Sequence, residues 1–175
     1  SATCAFAVTV NDTQAPTITC PVNQNIAANG TCSGTIGTWA PTSLSDNCTA
    51  ANLITITQTP PANTVLTGHN ASALVTLTAK DVSGNMSSCS FTVTLKDITP
   101  PMAKCKNATA NLGVNGSVMV PASAVDNLST DNCSFTLTLA PNTFTCANIG
   151  MMNTVTLKAT DAGGNTATCT AKITV

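Results

Sequence analysis

Apolar and polar side chains alternate one by one along much of this chain. Cys89, Phe91, Val93 and Leu95 share one face of a segment whose other face carries Ser88, Ser90, Thr92 and Thr94. Val75, Leu77 and Ala79 repeat the pattern, as do Val155, Leu157 and Ala159, and Ile54 with Ile56. A period of two predicts strands with one buried face, because successive side chains leave a strand in opposite directions. Thr occupies many outward positions, where a β-branched polar residue suits a solvated sheet. The alternation stops at turn-forming clusters such as Asn29-Gly30, Pro60-Pro61 and Gly163-Gly164-Asn165. No segment carries a helical period, so the expected fold is all-β.

The strands recur in a larger unit. Residues 87–96 (SSCSFTVTLK) and 166–175 (TATCTAKITV) are copies of one segment, and residues 1–10 (SATCAFAVTV) are a third. Asp12-Thr-Gln-Ala-Pro16 corresponds to Asp97-Ile-Thr-Pro-Pro101, Asp46-Asn47-Cys48 to Asp131-Asn132-Cys133, and Asp81-Val-Ser-Gly-Asn85 to Asp161-Ala-Gly-Gly-Asn165. The spacing is 85 residues from Cys4 to Cys89 and 80 from Cys89 to Cys169. The expected organisation is two full repeats, 12–96 and 97–175, preceded at 1–11 by the closing strand of an upstream repeat or by a strand shared between protomers. About seven short strands in such a repeat is the size of an immunoglobulin-like β-sandwich. The fold class is thus all-β, as tandem immunoglobulin-like β-sandwiches.

Composition narrows the functional classes. Charged residues are 7% of the chain, against about 25% in ordinary soluble domains. The net charge is −1, with six Lys and no Arg, which leaves no electrostatic footprint for nucleic acid or an acidic membrane surface. No run of 18 apolar residues predicts a membrane span, and no signal peptide is expected at Ser1. The nine Cys lie too far apart for a zinc knuckle: the nearest spacings are 12 to 16 residues, with no Cys-x-x-Cys. A disulfide framework made in an oxidising compartment is the expectation, hence an extracellular or cell-surface protein.

The order Asp-x-x-x-Pro, Thr-Cys-Pro, Asp-Asn-Cys, Asp-x-x-Gly-Asn and Cys-x-Phe-Thr-Val resembles the hyalin-repeat (HYR) module, an immunoglobulin-like domain of extracellular adhesion proteins and bacterial cell-surface arrays. The second repeat departs from it at Lys106, where the first has Pro21, and at Ala171-Lys172, where the first has Phe91-Thr92. In the topology this resemblance implies, the first strand and the loops holding the other two recurring Asp meet at one end. Asp12, Asp46 and Asp81 would gather there, as would Asp97, Asp131 and Asp161. A hard cation with oxygen ligands would relieve their repulsion, and calcium suits Asp and Asn side chains with loop carbonyls. The expected ligand set is Asp12, Asp46, Asp81 and Asn85 at one junction, and Asp97, Asp126, Asp131, Asp161 and Asn165 at the next. The alternative is that each Asp caps a turn by bonding nearby backbone amides.

The same topology places the first and last strands side by side, which implies Cys20–Cys89 and Cys105–Cys169. Cys32–Cys48 and Cys133–Cys146 are then the remaining pairs, although four cysteines allow three connectivities. Cys4 would pair within an upstream repeat or with a neighbouring protomer. Sequons at Asn11, Asn29, Asn70, Asn107, Asn115 and Asn127 are possible glycosylation sites, whereas Asn47, Asn85 and Asn132 lie beside the expected ion or a cysteine. His69 is expected in an exposed loop, and Trp39, the one Trp, as a core plug. No Ser-His-Asp constellation, phosphate loop or metalloprotease helix occurs, so an enzyme is not expected. The leading reading is a structural segment of an extracellular fibre, adhesin stalk or filament, joined head-to-tail to copies of itself or to flanking repeats. The alternatives are a glycan- or protein-binding adhesion module, and spacer domains of a larger secreted enzyme.

Overall fold

The computed structural model describes residues 3–175; residues 1–2 of the expected 1–11 strand lie outside the described residues. The chain is almost entirely strand and turn. The first repeat contains β1 (Thr17–Thr19), β2 (Gln24–Ala27), β3 (Ser33–Thr35), β4 (Ser43–Ser45), β5 (Thr55–Thr59), β6 (Val65–Thr67), β7 (Ser72–Lys80) and β8 (Met86–Lys96). The second contains β9 (Ala108–Thr109), β10 (Ser117–Met119), β11 (Phe135–Ala140), β12 (Thr143–Thr145), β13 (Asn153–Asp161) and β14 (Thr166–Thr174). One helical turn, α1 (Ala122–Val125), precedes β11.

Each repeat builds a four-stranded sheet, ordered β2-β8-β7-β5 and β11-β13-β14-β9, with shorter pairs β1-β4, β3-β6 and β10-β12. The long hairpin β7-β8 is in register from Ser72↔Thr94 to Lys80↔Met86, and its counterpart β13-β14 from Asn153↔Ile173 to Thr160↔Thr166. The alternation read from the sequence is the burial pattern of these strands. Val75, Leu77, Ala79 and Val93 are fully buried, and Phe91 nearly so. Val155, Leu157 and Ala159 do the same in the second repeat, while the intervening Thr face outward or lie half-buried.

The two cores are filled differently. At the strand position where the first repeat has Phe91, the second has Ala171; Phe144 on β12 joins Ala171, Val155, Leu157 and Ile173 in that core. The first repeat carries Leu66 at the position of Phe144. The aromatic ring has moved from the closing strand to a strand of the facing sheet.

The chain divides into two compact units. Among the described residues, the first comprises 3–26, with Thr35–Leu66 and Ser72–Thr94; the second comprises Ala27–Gly34, Thr67–Ala71 and Leu95–Val175. The disulfides are Cys20–Cys89, Cys105–Cys169 and Cys32–Cys133. Two expected pairs are therefore corrected. Cys32 does not bond Cys48: it lies in the second unit with Cys133, whereas Cys48 lies in the first. Cys133 does not bond Cys146. Cys133 lies two residues before the start of β11, whose Phe135 pairs with Asp161 at the end of β13, while Cys146 begins the turn leading to Asn153 at the start of β13. The length of β13, roughly 26 Å at ~3.3 Å per residue, separates the two ends. Cys4, Cys48 and Cys146 are exposed free thiols.

Candidate functional site: two carboxylate cups

Three aspartates converge in each unit. One carboxylate oxygen from each of Asp12, Asp46 and Asp81 lies within 4.8 Å of the others, and Asp97, Asp131 and Asp161 repeat the arrangement. The chain positions them by strand ends and tight turns. Asp81, just after β7, and Asp161, the last residue of β13, open matching five-residue turns closed by Asp81 N–H to Asn85 O and Asp161 N–H to Asn165 O, both 3.1 Å. Gly84 and Gly164 take left-handed backbone there, with φ of 98° and 88°, a conformation that glycine adopts without a Cβ clash.

Each carboxylate is held by neutral donors. Both oxygens of Asp81 accept from Asn85, its backbone N–H at 2.8 Å and its side-chain amide at 2.8 Å; Asn165 holds Asp161 by the same pair of bonds. The four other carboxylates each accept backbone N–H bonds on one oxygen only. Gln14 donates to Asp12, Cys48 and Thr49 to Asp46, Thr99 to Asp97, and Cys133 to Asp131. The remaining oxygens, Asp12 Oδ2, Asp46 Oδ1, Asp97 Oδ2 and Asp131 Oδ1, are buried without a hydrogen-bond partner. Asp97 itself is 3% exposed.

Buried acceptors without partners are uncommon because each costs its full desolvation. Here two occur in each cup beside a third carboxylate. Hard oxygen donors, several carboxylates and no soft or nitrogen ligand form a set suited to a calcium-type cation. The Asx turns and the convergence coexist: one oxygen shapes the local turn while the other is left over.

Three expected ligands sit elsewhere or act differently. Asp126 is outside the second cup; its Oδ1 accepts from the Ser129 hydroxyl at 2.5 Å and the Ser129 N–H at 3.1 Å, because its main chain pairs with Cys105 on the strand side of that turn. Asn85 and Asn165 turn their amide N–H groups toward the carboxylates, and toward the carbonyls of Asp12 and Asp97, so they brace the cups as donors. His69, expected in an exposed loop, is half-buried, and its Nδ1 accepts from the Asp97 N–H at 3.0 Å. That contact was not readable from one isolated His. Trp39 is half-buried and stands edge-on to Phe91, 5.4 Å between ring centres. All six candidate acceptor Asn, namely Asn11, Asn29, Asn70, Asn107, Asn115 and Asn127, are exposed.

Burial pushes the Asp81 carboxyl up, but the Asn85 side chain and the N–H groups of Asn85, Gly84 and Ser83 outweigh it and hold the pKa below the ordinary 3.8. The Ser129 hydroxyl is the main cause lowering Asp126; burial opposes it, and the Ser129 and Leu128 N–H groups and the Lys106 charge add to it. A folded-state pKa below the unfolded one contributes stability above the unfolded value and loses it as pH falls through the folded value. Thermal midpoints are thus expected to hold down to about pH 5 and fall below about pH 4, and Asp126→Asn should make that acid fall smaller.

A family model described as the HYR domain matches residues 11–95 and again residues 96–175. No curated protein matches the sequence. Among solved structures, Sidekick-1 immunoglobulin domains 1–4 align with a TM-score of 0.48 at 11% identity, over 92% of this chain and 48% of that one. A four-domain protocadherin fragment, PcdhgB3 EC1-4, gives 0.43 at 13% identity over 91% of this chain and 50% of that one. Mouse Cadherin-23 EC22-24 gives 0.41 at 17% identity over 92% and 66%. The chain spans about half the length of the first two. The disulfides accord with an extracellular setting, and no helix among the described residues is long and apolar enough to cross a membrane. Matched by the family model over nearly its whole length, in two consecutive copies, the chain belongs to the HYR domain family.

Proposed function

We propose that this chain is a structural segment of an extracellular fibre, surface adhesin stalk or filament, joined head-to-tail to neighbouring copies or flanking repeats and stiffened by calcium at its domain junctions. The observation that carries the reading is the doubled cup. Two repeats of different length and different core filling keep the same three carboxylates and the same pattern of unpartnered buried oxygens. Asp12, Asp46 and Asp81 would hold one ion, and Asp97, Asp131 and Asp161 the other, supplying positive charge that the neutral donors around them do not. A single catalytic site would not need two copies. A second observation favours joining between chains: Phe6, Val8 and Val10 alternate along a segment that belongs to none of the strands and are 84%, 74% and 90% exposed, an apolar set that a neighbour would cover. With Trp39 packed on Phe91, the chain offers little aromatic surface to a sugar ring.

The test is a melt with and without chelator, paired with electron microscopy of the assembled protein. Calcium is expected to raise the thermal midpoint over the EDTA-treated protein by about 2–4 °C for each kcal/mol of binding energy if the chain melts as one unit, and by about 4–8 °C if each repeat melts alone. Micrographs are expected to show end-to-end strings that become more flexible in EDTA. An unchanged midpoint together with unchanged stiffness would remove calcium from the account.

A further inference from the structure

The Cys32–Cys133 bridge has a specific local setting. Cys32 lies in a turn closed by Asn29 N–H to Ser33 O at 2.8 Å and Cys32 N–H to Asn29 O at 3.1 Å, with φ of 54°. Cys133 lies in Asp131-Asn132-Cys133, where Asp131 accepts its N–H and the Asn132 amide donates to the carbonyl of Asn29 at 3.1 Å. All these residues belong to the second compact unit.

The second repeat has the same turn. Gly113 N–H bonds Ser117 O at 3.0 Å, Gly116 N–H bonds Gly113 O at 2.9 Å, and Gly116 has φ of 71°. Gly116 thus stands where the first repeat has Cys32. The residue after the facing short strand is exchanged in the opposite sense. It is Gly68 after β6, whose N–H bonds Cys32 O at 2.9 Å, and Cys146 after β12. A Cβ built on Gly116 would lie 3.2 Å from Cys146 Sγ, and that sulfur is 3.7 Å from the Gly116 carbonyl oxygen. The second repeat therefore delivers a sulfur to the place of Cys32 from the opposite strand.

The other half is also present and unused. Cys48 lies in Asp46-Asn47-Cys48, with its N–H on Asp46 Oδ2 at 3.0 Å, the same local geometry as Cys133 on Asp131. Cys48 and Cys146 are both exposed and free. We propose that Cys146 of one copy forms a disulfide with Cys48 of a second copy, repeating between chains the Cys32–Cys133 bridge found within one. The proposal rests on the head-to-tail reading and specifies its covalent link. The contact is heterologous, one surface against a different one, so it propagates instead of closing into a dimer. The Asn47 amide would then meet the Gly113 carbonyl of the neighbour, as Asn132 meets Asn29.

The chemistry is thiol–disulfide exchange. The S–H bonds of Cys146 and Cys48 break and one S–S bond forms. Two electrons and two protons pass to an external disulfide oxidant, which leaves as two thiols.

The experiment uses the full chain with Cys4→Ser, to remove the third free thiol, oxidised with glutathione disulfide. Non-reducing denaturing gels are expected to show a ladder in multiples of about 17.6 kDa that collapses on reduction. Peptide mapping should recover Cys48 joined to Cys146. Adding Cys48→Ser or Cys146→Ser should abolish every band above monomer, and mixing those two variants should give one band, the dimer. These substitutions are at exposed residues, so folding is not at stake. Joining of Cys48 to Cys48 or Cys146 to Cys146 would overturn the proposal. End-to-end strings in micrographs without a Cys48–Cys146 peptide would overturn the bridge and leave the head-to-tail reading standing. Absence of both would overturn the two together.

Discussion

Replacing Cys105 and Cys169 by Ser is expected to destabilise the second repeat by about 4 kcal/mol, the loop-closure estimate for a bridge of this span. The two residues are 64 positions apart, and the bridge ties the segment before β9 to the centre of β14. Both cysteines are half-buried and packed against the core of that repeat. Around them the parallel pairing of β9 with β14 covers only Ile173↔Ala108 and Thr174↔Thr109, so little backbone pairing would tie the segment to β14 once the bridge is gone, although its other side stays paired with the 125–130 turn. The same pair of substitutions at Cys48 and Cys146 should leave the monomer's melting curve unmoved, because neither sulfur is bonded within the chain. Calorimetry of the two double variants checks both halves.

Phe144→Ala carries an effect of similar size, about 3–5 kcal/mol for a buried aromatic truncated in place. Phe144 is 2% exposed and lies opposite Val118 on the short β10-β12 pair. It fills the volume that Ala171 leaves, so its removal empties the core where no other aromatic can compensate. Phe144→Leu, which restores the residue type of the first repeat, should cost less, on the order of 1 kcal/mol, because most of the volume is retained. A Leu variant as damaging as the Ala variant would mean that the ring's shape, beyond its bulk, is needed there.

Much of the fold was readable because the strands are one-sided. Val75-Leu77-Ala79 and Val155-Leu157-Ala159 alternate without interruption, and a period of two admits one interpretation when the intervening residues are Thr and Lys. The short strands β1, β4, β6 and β9 carry too few residues for any period and had to be inferred from the repeat. The cups were legible as recurring Asp positions, since six of seven acids fall at three places in a repeat. Asp126 could not be excluded by type or neighbourhood; only the main-chain pairing of Asp126 with Cys105 sets it apart. The Asn residues were recognisable as part of the site, but whether they present oxygen or N–H depends on the turn.

The cysteines show most clearly where reading residues in order fails. Assigning each repeat its own two bridges is reasonable if each repeat is self-contained. The compact units do not follow the repeat boundary, since Ala27–Gly34 and Thr67–Ala71 belong to the second. A signal existed nonetheless: Cys32 with Gly68 becomes Gly116 with Cys146, a swap between the paired short strands that marks a shared location.

Calcium titration by calorimetry bears on the proposed pair of equivalent cation sites, one in each carboxylate cup. The wild-type chain is expected to bind two calcium ions. Asp81→Asn and Asp161→Asn should each retain one, and the double variant none, with the folded β spectrum preserved throughout. A wild-type chain that binds no calcium at millimolar concentration, or variants that keep the full stoichiometry, would contradict it.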